Sequence, residues 1–439
     1  MHRSWIEISK EALRENVRTL RGIAGPERVL CAVVKANAYG HGVREVASII
    51  ARDRAFGGTP SPDARAGTGR SPSARGGGRH GGWFGVDSIP EAITLRDAHI
   101  WNPVLVLGYV PIVDARMVVR TGARVTVAMP ETVRALAAAA RSLRRMVSVH
   151  VKVETGTQRQ GVPARELPAF VRLIERSRGL TLEGISTHLA DVEDTGPDGF
   201  ARLQLRRFGG AVRAAERIAG RRLLRHASAS AAAMLLPDAR FDLIRTGIAL
   251  YGLWPSKICR EPPGSPQYTS PSTEVARPRT TRGSRQSPTA AALALGLRSE
   301  IDRPHIVLHP VLTWKTIVGP MHWVPRGAPV GYGCTERVRR RTRIAVLQVG
   351  YWDGYDRKLS SVGDVLIRGH RCKVIGRVCM NMIMVDVTDV PRVRLEDEVV
   401  LIGRQGREEV TVDELAEKIG TINYEVVTRI NPMLPRRIL

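Results

Sequence analysis

Lysine is scarce in the first part of this 439-residue chain: between residues 11 and 256 only Lys35 and Lys152 occur, amid abundant arginine. Lys35 directly follows Ala32-Val33-Val34, and Lys152 lies inside an apolar run at 147–153. A surface lysine ordinarily lays its stem on the protein and puts its ammonium in water. One that ends a buried strand is placed differently, and its amine can hold an aldehyde cofactor as a Schiff base. Tyr332 stands in Val330-Gly331-Tyr332-Gly333; taken alone, that reads as a turn. Arg245, in Arg245-Thr246-Gly247-Ile248, reads alone as a salt-bridge arginine, and His188, ending Gly184-Ile185-Ser186-Thr187-His188, as a structural strand-end histidine.

These side chains need elements to aim them. Short apolar runs at 29–35, 83–86, 104–107, 123–127, 147–153, 182–186, 224–227 and 243–246 read as strands. Amphipathic stretches lie between them; the clearest puts Leu205, Phe208, Val212, Ala215 and Ile218 on one helical face. Eight βα units predict an α/β (β/α)8 barrel with its chemistry at the C-terminal ends of the strands. Periodicity alone also admits a doubly wound open sheet. Beyond residue 310 the segments 343–349, 362–367, 373–378, 382–387 and 398–402 are short, β-branched and punctuated by Gly or Asp, which predicts a mainly β domain. An acidic helix is expected at 412–419, with Thr411 and Glu414 as a capping box. The expected domains are 1–254 and 255–439.

Two segments, 57–82 and 260–290, are rich in Gly, Ser, Pro and Arg and are expected to be disordered, since neither can bury enough apolar surface to offset ordering. The first falls between a helix and a strand, on the barrel face away from the chemistry, where an insertion should be harmless. With their flanks, residues 52–82 and 257–290 together hold eight of the 25 net positive charges. The rest is scattered arginine without a compact basic stripe, which argues against a nucleic-acid partner. No apolar run reaches the ~18 residues of a membrane span, and residues 1–10 show no signal-peptide pattern. Five dispersed cysteines suit free thiols in a reducing cytoplasm. No metal site is expected.

The segment Ala32-Val33-Val34-Lys35-Ala36-Asn37-Ala38-Tyr39-Gly40-His41-Gly42 closely resembles the pyridoxal-phosphate lysine signature of alanine racemases. The resemblance continues through Lys152-Val153-Glu154-Thr155-Gly156 to Arg159, through Gly184–His188, from His226 to Ser230, and from Arg245 to Gly252. It resumes at Gly331-Tyr332-Gly333, Val349-Gly350-Tyr351, Gly376-Arg377-Val378-Cys379-Met380 and Ile422-Asn423-Tyr424-Glu425. It implies a barrel followed by a β domain, interconversion of L- and D-alanine, supply of D-alanine for peptidoglycan, and a head-to-tail homodimer with shared sites.

The resemblance also implies residue roles. Lys35 would carry pyridoxal 5'-phosphate and act on one face of the substrate Cα, with Tyr332 of the partner copy acting on the other. Arg245 would face the pyridine nitrogen, and His188 would brace Arg245 and Tyr332. Arg159 would meet the cofactor's phenolic oxygen or the substrate carboxylate. Tyr39, Ser230, Gly247, Ile248 and Tyr424 would bind the phosphate, Tyr351 would line the entry, and Met380 would offer a backbone contact to substrate. Lys152 resembles a lysine that is often carbamylated.

The chain departs from the pattern at Ala229, where Asn is usual, at Asn381, where Asp is common, and at Gln158 and Gln160 beside Arg159. None is one of the acid/base pair. Alternatives are a racemase of serine or lysine, a pyridoxal-phosphate decarboxylase, a non-catalytic cofactor carrier and an impaired homologue. A decarboxylase would want an acid where Arg245 stands, and a carrier would lack the β domain.

Overall fold

The computed structural model describes residues 3–57, 81–193, 199–260 and 306–439. After β1 (Ser4–Ile8) and a helix at Lys10–Ala24 come the barrel strands β2 (Val29–Val33), β3 (Trp83–Val86), β4 (Val104–Val106), β5 (Arg124–Val127), β6 (Val147–Lys152), β7 (Leu180–Ser186), β8 (Leu224–His226) and β9 (Leu243–Thr246). They pair in parallel in the order β8-β7-β6-β5-β4-β3-β2-β9. β8 and β9 share no ladder, but Asp242 N donates to Arg225 O (3.0 Å) and Arg245 N to Ser228 O (3.1 Å), so the sheet nearly closes. It is a (β/α)8 barrel and not a doubly wound sheet, and each of the eight expected strands is present.

β2 to β4 are apolar apart from Gly85, whereas β5 to β9 also carry polar residues, among them Arg124, His150, Glu183, His226 and Arg245. Val29, Cys31, Trp83, Leu105 and Leu243 form one buried cluster, and a larger one surrounds them. On the helix Phe200–Ala219, Phe208, Val212 and Ala215 are buried, while Leu205 and Ile218 pack half-exposed at its margin. Burial of such side chains contributes about 1.5–3 kcal/mol each.

The second unit holds β10 (Leu312–Val324), β11 (Pro329–Val330), β12 (Glu336–Arg337), β13 (Thr342–Leu347), β14 (Asp364–Ile367), β15 (His370–Lys373), β16 (Ile383–Asp386), β17 (Glu398–Gln405), β18 (Glu408–Val410) and β19 (Arg436–Ile438). The main path is β15-β14-β17-β10-β1-β19, and β13 joins β10 to β16. β1 thus lies in this sheet, antiparallel to β10 and parallel to β19. The expectation of a barrel unit starting at residue 1 does not account for it. The strand expected at 373–378 lies earlier, at His370–Lys373, because a turn with Arg368 and Gly369 at positive φ sets the hairpin with β14 and Gly376 (φ +72°) ends the extended run. At the helix Val412–Ile419, Thr411 accepts from Glu414 N, but the Glu414 carboxylate bonds Arg371 and Lys418, so only half of a capping box forms.

Most of the segment 57–82 and nearly all of 260–290 lie outside the described residues. The ends of the first meet: Gly82 N donates to Phe56 O at 2.5 Å, at the N-terminal end of β3. Among the described residues no helix is long and apolar enough to cross a membrane.

Candidate active site

Lys35 leaves β2 into an unusual turn. Ala36, Asn37, Ala38 and Tyr39 have φ of 52°, 53°, 54° and 51°, a left-handed run of four non-glycine residues. Such a conformation costs roughly 1–2 kcal/mol per residue, so its surroundings must hold it. Glu91 accepts from Ala36 N (2.7 Å) and Asp87 N (2.6 Å), tying the turn to the start of the helix Ile89–Asp97. Asn37 Oδ1 accepts from Val43 N (2.9 Å), and the buried Tyr251 hydroxyl donates to Val33 O (2.8 Å). Gly40, at φ +81°, runs so close to the helix Asn423–Thr428 that a Cβ would collide with the Val427 carbonyl. Arg436 donates to Gly40 O (2.8 Å). Both structural units therefore clamp the Lys35 turn. Lys35 Nζ lies 3.9 Å from Asp87 at the end of β3, with both side chains substantially exposed.

Positive charge gathers around Lys35. Burial, then the charges of Arg245, Arg159, Lys152 and Lys35, push the His188 pKa down to about 3. Burial, then Arg245 and Arg159, lower Lys152 to about 8; its Nζ donates to Gln160 Oε1 at 3.2 Å. Arg159 is exposed on the loop after β6. These groups all stand at or just beyond C-terminal strand ends, where barrel chemistry is found. A site with this many cations is complementary to an anionic ligand.

Opposite them, Ser230 Oγ accepts from Gly247 N (3.0 Å), which brings the loops after β8 and β9 together. Tyr39 stacks near Tyr251 and Tyr424 at centroid distances of 5.1 and 6.1 Å. Ile248 begins the turn after Gly247 and is buried. The Tyr424 hydroxyl donates to Glu193 at 3.0 Å.

Arg245, only 7% exposed, points into the barrel. Its guanidinium bonds His226 Nδ1 (2.6 Å), Thr187 O (2.9 Å) and Ala227 O (2.8 Å). The imidazole hydrogen-bonded to Arg245 is His226, while His188 lies within the field of Arg245, with no hydrogen bond between the two among the described residues. The His188 backbone carbonyl accepts from Thr157 (2.6 Å) and Gln204 (3.1 Å), which fixes the chain just beyond β7.

The alanine racemase N-terminal domain model matches residues 8–59 and 71–255, and the alanine racemase C-terminal domain model matches 311–438. The chain belongs to the alanine racemase family. A curated alanine racemase of Symbiobacterium thermophilum is 39% identical over 436 residues, covering 99% of this chain and 97% of that protein. One from Leptospira interrogans is 34% identical over 438 residues, at 99% and 96% coverage. The solved alanine racemase of Clostridium difficile 630 superimposes with a TM-score of 0.79 at 26% identity, covering 100% of this chain and 96% of that one.

The remaining residues that the alanine racemase resemblance singles out lie on β-domain loops. Tyr332 is at the tip of the β11–β12 hairpin and 73% exposed. Tyr351 N donates to Cys379 O (3.1 Å) and Trp352 N to Met380 O (2.9 Å), so the Tyr351 and Met380 loops adjoin. Both side chains are exposed. Among the described residues no hydrogen bond, ion pair or ring contact joins Tyr332, Tyr351 or Met380 to Lys35 or the cations around it. Within one chain the Tyr351 and Met380 loops adjoin each other, and Tyr332 stands on a separate hairpin.

Glu91, Asp87, Tyr251 and His226 escaped the sequence reading. Tyr251 and His226 lie inside quoted motifs, so their partners could have been sought there. Glu91 carried a signal too, because Ser88 and Glu91 have capping-box spacing before an apolar run.

Proposed function

We propose that this chain interconverts L- and D-alanine by a two-base reaction at the barrel mouth, with pyridoxal 5'-phosphate held on Lys35. Membership of the alanine racemase family supports the reaction and the cofactor class. One observation of this chain carries the site: Arg245, Arg159, Lys152 and Lys35 all face His188, whose burial, reinforced by their charges, keeps it neutral. That charge fits a cofactor bearing phosphate and phenolate groups.

Bound there, pyridoxal phosphate would supply an electron sink that makes the α-proton of alanine acidic. Lys35 would move that proton on one face of Cα. Tyr332 would move it on the other, since racemisation takes a proton from one side and returns it on the opposite side. The Arg245 guanidinium has donors only and stays protonated, so it would donate to the ring nitrogen and leave it without a proton. Arg159 would bind the phenolic oxygen or the substrate carboxylate. Tyr39, Ser230, Gly247, Ile248 and Tyr424 would hold the phosphate, with Tyr424 exchanging its Glu193 partner for it. Tyr351 would narrow the entry and Met380 would present backbone to the substrate.

Tyr332, Tyr351 and Met380 would reach the barrel of a second copy. Their support is their exposure alongside Trp352 and Met382, an apolar surface of the kind that marks an interface. The five free cysteines support a cytoplasmic setting.

The test is conversion of each alanine enantiomer with and without added pyridoxal phosphate. Racemisation that rises with cofactor is expected. A cofactor-loaded dimer that leaves both enantiomers unchanged, or that turns over serine or lysine faster than alanine, would overturn the reading.

A further inference from the structure

Below Arg245 the barrel interior holds an unbroken line of polar side chains. Arg245 Nη1 bonds His226 Nδ1 at 2.6 Å, His226 Nε2 meets His150 Nδ1 at 2.9 Å, and His150 Nε2 meets Glu183 Oε2 at 3.2 Å. Glu183 accepts from Arg124 at 2.7 and 3.2 Å, and Arg124 lies 4.5 Å over the Trp83 ring. Both imidazoles are buried, and the Glu183 side chain is nearly so. The line runs from the mouth to the first residues of β5 and β3.

Two irregularities of β7 make it possible. The ladder with β6 pairs Val149 with Leu182 but His150 with Gly184, so Glu183 is an extra residue. A bulge of this kind re-aims a side chain, and here it turns Glu183 toward His150. Gly184 follows, and a Cβ there would collide with the His150 ring. The two imidazoles, from β6 and β8, meet across that gap.

The ends of the line dictate every proton on it. A guanidinium only donates, so His226 Nδ1 must accept. Neutral His226 then carries its proton on Nε2 and donates to His150 Nδ1. His150 carries its own on Nε2 and donates to the carboxylate, which only accepts. Burial, with Arg245 and His150 beside it, holds the His226 pKa well below its ordinary range. Burial alone would raise Glu183, but its bonds from His150 and Arg124 hold it down to about 2, an anion throughout the working range.

We propose that His150, Glu183 and Arg124 are positioning residues for the racemase reaction: anchored at the far end of the barrel, they fix the tautomer of His226 and through it the orientation of Arg245. The effect on turnover rests on the reading of Arg245 as the ring-nitrogen partner. The tautomers do not, because they are properties of the protein alone.

The experiment is solid-state nitrogen NMR of imidazole-labelled enzyme, with and without cofactor, beside kinetics of two variants. In the wild type, His226 and His150 should show protonated Nε2 and bare Nδ1, and His226 should not titrate between about pH 6 and 8. The paired variant Arg124→Leu/Glu183→Leu removes the anchor without stranding a charge. His150→Phe keeps a ring in place and breaks the line should the pair fail to fold. Each should lower kcat by about 10–100-fold through misplacement of Arg245, leave KM for alanine within about 3-fold, and, for the paired variant, give His226 mixed tautomers. Combining them should cost little beyond His150→Phe alone, since both cut one line. Wild-type imidazoles protonated on Nδ1, or a His226 that titrates in that range, would overturn the proposal. So would folded variants with unchanged kcat. An inactive wild type with the expected tautomers would instead sink the reading of the site.

Discussion

Lys35 and Tyr332 differ in what their surroundings tell about them. Lys35 is fixed by a clamped turn, whereas Tyr332 protrudes, 73% exposed, from a hairpin tip. If they work on opposite faces of Cα, their removal should be unequal in effect. Tyr332→Phe should nearly stop exchange of the α-proton of L-alanine in heavy water while exchange of D-alanine survives better. Such groups are typically worth ~10²–10⁴ in rate, so isotope incorporation followed for each enantiomer measures the asymmetry; equal loss would point to one base only. Lys152 is the rival for the cofactor, since its pKa of about 8 leaves a fraction of free amine near neutrality. Borohydride reduction of the loaded enzyme should nonetheless mark the peptide containing Lys35, and a label on Lys152 would refute the assignment. Lys35 and Arg245 were legible because each stands in a distinctive run of sequence. His150 and Glu183 were not: they lie 33 residues apart, and their bond depends on one extra residue in β7, which no periodicity reveals.

The barrel strands could be read because short, mostly apolar runs stand out between amphipathic helices. β1 could not, since Trp5, Ile6 and Ile8 gain a partner only at residue 312 and beyond. Nor could β10, whose register shifts between Val318 and Met321 let one strand serve β17 and β1 with its first half and β13 with its second. The loop before β3 gives an element-level expectation. Its ends already touch through Phe56 and Gly82 at the barrel face opposite Lys35, and a change in loop length costs little. Joining Gly57 to Gly81 directly should leave racemase activity within a few-fold and the melting temperature nearly unchanged. Loss of folding would mean that residues 58–80 pack against something.

Two whole-molecule properties follow from charge and from assembly. His41 and His226 are buried, and burial lowers both, His41 to about 4 and His226 well below its ordinary 6.5. The folded chain therefore keeps them neutral where the unfolded chain protonates them. Their contribution is unchanged above the unfolded value of 6.5 and unfavourable below it, growing as pH falls toward the folded value at about 1.4 kcal/mol per pH unit for each. Urea midpoints should fall from about pH 6.5 toward pH 4; a flat profile would mean charged imidazoles in the folded core. The separation of Tyr332 from Lys35 within one chain bears on assembly. Mixing Lys35→Ala with Tyr332→Phe protein should restore part of the activity if each site takes its tyrosine from a partner. No recovery after proven subunit exchange would place both groups in one chain.

The position of β1 between β10 and β19 also orders events during synthesis. The strand is complete at Ile8, but its first partner begins only at Leu312 and its second at Arg436. At 5–20 residues per second, the ribosome needs roughly 15 to 60 s to reach β10. Throughout that interval the barrel strands emerge and can pair, while Ser4–Ile8 has nothing to pair with. A nascent chain halted before residue 312 should hold all eight barrel strands together with one sticky, unmatched strand at its leading end, a natural handhold for a chaperone.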